Sequence, residues 1–228
     1  MLRWCCPSFV TSVDNITDTN HQTAHFEKGS CSTMGFNYVM FLGSVREGRN
    51  VSRVAKYMIN VFESNGHKVT IFDPQEMEFP MLKKPLHFHR SNEQPPDWLV
   101  KHNKTIQDAD GYVVISAEYN RAIPPALTNM MNHFPPASYK YKPCGIVCYS
   151  LGPAGGIVAA MALRPFLGEL GMVTPSFIFA TPQVADAFSE DGKPLTDRAK
   201  TGGPNLLKEL EWYTAALKRQ REEIGIPK

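Results

Sequence analysis

The stretch Tyr38-Val39-Met40-Phe41-Leu42-Gly43-Ser44-Val45-Arg46-Glu47-Gly48-Arg49-Asn50-Val51-Ser52 decides how this chain folds. Its first five residues are apolar without a break, too few for a buried helix and suited to a strand covered on both faces. A polar loop follows. Val51, Val54, Ala55, Met58, Ile59 and Phe62 then recur at helical spacing until Asn65-Gly66 supplies a stop signal. A doubly covered strand running through a short loop into an amphipathic helix is the first half of a parallel crossover unit.

Outward from this stretch the alternation repeats. The patterns predict strands over 68–72, 111–117, 145–149 and 176–179, and helices over 97–107, 126–134 and 156–170. Leu206, Leu210, Tyr213 and Leu217 mark a fifth helix near the end. Five strands alternating with five helices imply right-handed crossovers. The expected fold is α/β, a doubly wound five-stranded parallel sheet in the flavodoxin-like order 2-1-3-4-5, with helices on both faces. Ligands bind beyond the carboxyl ends of such strands, which selects the loops after Leu42, Ala117 and Tyr149.

The 228 residues, 43% apolar, can bury one sizeable core, so two full domains are not expected. A formal charge of +2 demands neither nucleic acid nor an anionic membrane as partner. No apolar run approaches the ~20 residues of a membrane span. Cys5, Cys6, Cys31, Cys144 and Cys148 are an odd, scattered set, unlike a disulfide-stapled secreted fold, which points to a reducing, cytoplasmic setting. Residues 1–33 are rich in Ser, Thr, Asn and Asp without sustained periodicity. They read as a disordered extension ahead of one domain over 34–228.

The first loop joins a strand to a helix N-terminus, whose free amides and dipole favour an anion. Ser44, Arg46 and Arg49 add a hydroxyl and two guanidinium forks, the donors a phosphomonoester requires. Gly-x-Gly-x-x-Gly is missing here, and no Gly-Lys-Ser/Thr follows at P-loop spacing, so a mononucleotide fits best. The second loop, Glu118-Tyr119-Asn120-Arg121-Ala122-Ile123-Pro124-Pro125, offers an aromatic wall and amide donors for a flat heteroaromatic ring, although Tyr119 alone reads equally well as a core aromatic. The third, Ser150-Leu151-Gly152-Pro153-Ala154-Gly155-Gly156, lets backbone approach a ligand, or simply makes a tight turn.

Two other features tempt. Cys144 and Cys148 share a strand face and read as small buried hydrophobes. His87-Phe88-His89 lacks the carboxylate or cysteine partners of a metal centre and has Lys83, Lys84 and Arg90 beside it, so no metal is expected there.

Taken together, Gly43-Ser44-x-Arg46, Glu118-Tyr119-Asn120 with Ile123-Pro124, and Ser150-x-Gly152-x-x-Gly155-Gly156 resemble the motifs of the NADPH-dependent FMN reductase family of quinone, chromate and azo-dye reductases. The resemblance runs from about Asn37 to Glu222. It implies FMN as cofactor, NADPH or NADH as co-substrate, hydride transfer through the flavin to a small acceptor, and a homodimer or higher homo-oligomer. It places Ser44, Arg46, Arg49, Asn50, Val51 and Ser52 at the FMN phosphate, with Asn50 and Ser52 competing for one role. Glu118, Tyr119, Asn120 and Ile123 would border the ring, and Ser150, Gly152, Gly155 and Gly156 would complete the pocket. The chemistry would belong to FMN, with no catalytic side chain.

The chain departs from the family pattern at Arg49, Pro125, Thr128 and Ala159-Ala160, and Pro165 should kink its helix. The long segment 74–96, with Met77, Phe79, Met81, Leu82 and Phe88, would cover a neighbouring subunit's pocket or fold back on its own. An electron-carrier flavodoxin is the competing function, and a flavin-free interaction protein the third.

Overall fold

In a computed structural model, which describes residues 35–227, β1 (Asn37–Leu42), β2 (Lys68–Phe72), β3 (Gly111–Ala117), β4 (Cys144–Tyr149) and β5 (Ile178–Thr181) form one parallel sheet, β2-β1-β3-β4-β5. The expectations for 1–33, with Cys5, Cys6 and Cys31, lie outside the described residues. β1, β3 and β4 are buried almost throughout because alternate side chains feed two cores. Tyr38, Met40, Leu42, Val113, Ile115 and Val147 join one apolar cluster, and Val39, Phe41, Tyr112, Val114 and Ile146 the other.

α1 (Val51–Ser64) and α7 (Asp197–Glu223) close the first face, while α2 (Asp97–Asp108), α3 (Pro125–Asn132) and α5 (Ile157–Glu169) close the second. Two single-turn helices, α4 (Pro136–Tyr139) and α6 (Val184–Ala187), add to the five expected, being too short to show a helical period. α5 continues through Pro165.

Two element starts differ instructively from the sequence expectation. β5 begins two residues later than expected, because the Glu209 carboxylate accepts the amides of Ser176 and Phe177 and takes that backbone out of the ladder. α7 begins at Asp197 and runs through Thr201-Gly202-Gly203-Pro204, which reads as a breaker. A Cβ on Gly202 would lie 2.1 Å from Phe179, and one on Gly203 2.7 Å from Tyr57. The glycines are there so that the helix can approach the sheet and α1.

The segment between β2 and α2 contains one 3-10 turn (Leu86–Phe88). Met77, Phe79 and Leu86 pack on the second cluster. Asn129 of α3 pins the segment, accepting from Leu82 N and donating to the carbonyls of Phe79 and Pro80. Met81 and Phe88 remain 78% and 64% exposed. Among the described residues no helix is long and apolar enough to cross a membrane.

Candidate functional site

The parallel register carries Leu42, Ala117 and Tyr149 to one edge of the sheet, since Leu42 pairs with Ile115 and Ala117 with Tyr149. The three loops therefore emerge side by side. They enclose an open cavity of about 390 Å³ lined by Ser44, Arg46, Arg49, Asn50, Glu118, Tyr119, Ser150 and Gly152. Glu47, Gly48, Ala117, Tyr149 and Leu151 complete the lining, and of these Tyr149 alone lies outside the three loops expected to carry the site. Tyr149 could have been found, because it is the last residue of a strand whose end was already selected.

At the first loop, Asn50 occupies the cap position of α1 without a side-chain cap. Among the described residues, no backbone carbonyl accepts from the amides of Val51 or Ser52, which leaves the helix N-terminus able to bind an anion. The Val51 side chain is fully buried, so only its amide can serve. The two arginines differ. Arg49 forms a paired contact with Asp73, at 2.6 and 2.5 Å, and donates to the Ser44 carbonyl at 2.6 Å. Arg46 is exposed, with its guanidinium carbon 3.6 Å from the centre of the Tyr119 ring.

Ser44 is 2% exposed, and its hydroxyl lies 2.6 Å from the Tyr119 hydroxyl, so it ties the first loop to the second. Tyr119 and Ala122 exchange two backbone hydrogen bonds across Asn120 and Arg121, which both sit in the left-handed region at φ 52° and 64°. Asn120 thus shapes the turn that presents Tyr119, and its own side chain is outside the cavity lining. Ile123 is partly buried and packs on the second cluster. Burial, reinforced by nearby Tyr119, pushes the Tyr149 phenol well above its usual range, against the pull of Ser44, Arg49 and Arg46. It stays a protonated donor at the cavity wall.

Glu118 does something the sequence did not suggest. Its carboxylate accepts from the amides of Val158 and Ala159 at 3.0 and 3.1 Å and so caps α5. A negative charge there satisfies the helix dipole, which leaves α1 as the helix start that faces the cavity without an acid in it. Gly155 and Gly156 also lie outside the lining. Both have positive φ, and a Cβ on Gly156 would lie 2.9 Å from the Tyr149 backbone. They bring α5 against the sheet. Gly152, whose Cβ position is open, is the glycine that faces the cavity.

Cationic and amide donors, two tyrosines and open backbone at Gly152, brought into one cavity, form a donor set that fits a phosphorylated planar cofactor. The buried Cys144 and Cys148 thiols, held protonated by burial, take no part. Among the described residues no group of three metal-ligating side chains comes together.

A flavodoxin-like sheet with this edge defines a mononucleotide-binding α/β protein. The profile of the family described as NADPH-dependent FMN reductase matches residues 36–186, and the chain belongs to that family. It is accordingly an oxidoreductase that works with FMN and a nicotinamide nucleotide. An NADPH azoreductase of Bacillus sp. is 24% identical over 191 residues, covering 82% of this chain and 98% of its own. An FMN-dependent NADPH-azoreductase of Staphylococcus saprophyticus is 25% identical over 160 residues, 70% and 80% of the two chains. The flavoenzyme NAD(P)H:(acceptor) oxidoreductase of Paracoccus denitrificans shares the fold, with a TM-score of 0.61 at 19% identity over 81% of this chain and 98% of its own.

Proposed function

We propose that this chain is a reductase of small acceptors such as azo compounds, quinones or free flavin, using NADPH or NADH and holding FMN in the cavity at the sheet edge. The observation that carries this is the joining, in one cavity, of Asn50 at the uncapped start of α1 and Arg46 with Tyr119, Tyr149 and Gly152. Bound FMN supplies hydride chemistry between nicotinamide and acceptor. The chain's own residues place and shield. The amides of Val51 and Ser52 with Arg46 receive the phosphate, the tyrosines wall the ring, and Gly152 leaves the backbone open to its polar edge. The azoreductase relatives support the acceptor class.

The decisive measurement is an absorption spectrum of the purified protein before and after anaerobic NADPH. A flavin spectrum that bleaches supports the reading, and a colourless protein that cannot be reconstituted with FMN removes it. Steady NADPH oxidation without partner proteins separates it from an electron-carrier flavodoxin.

We also infer a homodimer in the cytoplasm. The exposed Met81 and Phe88, on a segment whose Met77, Phe79 and Leu86 are already packed on their own subunit, support a second copy as cover. Light scattering at micromolar concentration should give about twice the chain mass, and a monomer active at full rate rules the dimer out.

A further inference from the structure

Within one short loop, two arginines are held in opposite ways. Arg49 is locked by Asp73 and the Ser44 carbonyl. Arg46 donates no hydrogen bond to any described residue and rests on the Tyr119 ring, 3.6 Å from its centre. The ring itself cannot swing away. Its hydroxyl is held by Ser44, its backbone by two bonds to Ala122, and part of it packs against the first core cluster. The guanidinium covers one face of this ring, and both side chains line the cavity.

We propose that Arg46 selects a phosphorylated flavin over the bare ring, covering Tyr119 until a phosphate draws the guanidinium away; this rests on the FMN-binding reading above. A planar ligand stacked on Tyr119 needs the layer about 3.5 Å above it, which the guanidinium occupies. Riboflavin must displace Arg46 and offers it no anion in return. FMN displaces it too, and its phosphate at the start of α1 then accepts charge-assisted hydrogen bonds from the freed guanidinium. The same side chain therefore hinders one ligand and holds the other, which a purely attractive phosphate contact would not do.

Replacing Arg46 by Ala should consequently move the two affinities in opposite directions. FMN should weaken roughly ten- to a hundredfold through loss of the charged contact. Riboflavin should tighten about two- to fivefold, the size of an exposed cation–π contact removed. Inorganic phosphate supplied separately should also tighten riboflavin binding to the wild type, against a chloride control of equal ionic strength, and leave Arg46→Ala unmoved. Flavin-fluorescence titrations of both proteins, with circular dichroism to confirm the fold, test all of this. Riboflavin affinity that is unchanged or falls in Arg46→Ala overturns the proposal while leaving FMN binding intact. A wild-type chain that binds neither flavin fails at the FMN reading, and the selectivity falls with it.

Discussion

The guanidinium of Arg49 meets the carboxylate of Asp73 end-on, one terminal nitrogen to each oxygen, with the two side chains only 10% and 8% exposed. Asp73 follows β2 directly, and its Oδ1 also accepts from the Gln75 amide. An acid just beyond the neighbouring strand thus sets the shape of the candidate anion loop. Asp73→Asn should cost about 1–3 kcal/mol, because a little-exposed guanidinium loses its counter-charge. A double-mutant cycle with Arg49→Gln should show coupling of about 1 kcal/mol or more in denaturant unfolding. Strict additivity would mean the pair carries no stability.

The Glu118 cap gives a second test. Glu118→Ala leaves the α5 amides of Val158 and Ala159 without their acceptor and should lower stability by about 1–2 kcal/mol. Glu118→Gln, which keeps an oxygen but not the charge, should lose less. Equal losses would show that the dipole term is negligible here.

Gly152 and Gly156 should separate binding from folding. Gly156→Ala places a Cβ 2.9 Å from the Tyr149 backbone at φ +80° and should destabilise by at least about 1 kcal/mol. Gly152→Ala meets nothing within 4 Å and should stay within about 0.5 kcal/mol of wild type while weakening FMN. Thermal unfolding and flavin titration of both variants check the contrast.

Lys142 provides a pH dependence. It is nearly buried, and its ammonium donates to the carbonyls of Ile106 and Gln107 at the end of α2, yet burial, with Arg221 beside it, pushes its pKa down to about 8. Below pH 8 the folded state therefore carries the cost of a buried charge. Between about 8 and the usual 10.5 the unfolded chain holds a proton that the folded chain has released, so stability rises with pH. Relative to Lys142→Met, wild type should gain about 1–3 kcal/mol from pH 7 to pH 10 in urea unfolding. A difference that stays constant with pH would refute the shift.

Much of the candidate cavity's lining was legible because chemistry and position coincide at strand ends. Ser44, Arg46, Arg49, Asn50, Glu118, Tyr119, Ser150 and Gly152 all line the cavity. What could not be read was how each is committed. Nothing local says that Arg49 turns to Asp73, 24 residues away, or that Glu118 reaches α5, about 40 residues on. Val51, Ser52, Asn120, Ile123, Gly155 and Gly156 lie on the same three loops or the helix start beside them, outside the cavity lining.

The sequence by itself determined the sheet, its order and the edge at which the loops meet. Strand and helix periods are local, and the handedness of crossovers leaves few ways to arrange them. Tertiary structure alone decided the entry of Thr201-Gly202-Gly203-Pro204 into α7 and the division of labour between Arg46 and Arg49. Close approach to Phe179 and Tyr57, and a carboxylate brought in from β2, are through-space contacts. Their energies exceed the local propensities that a sequence displays.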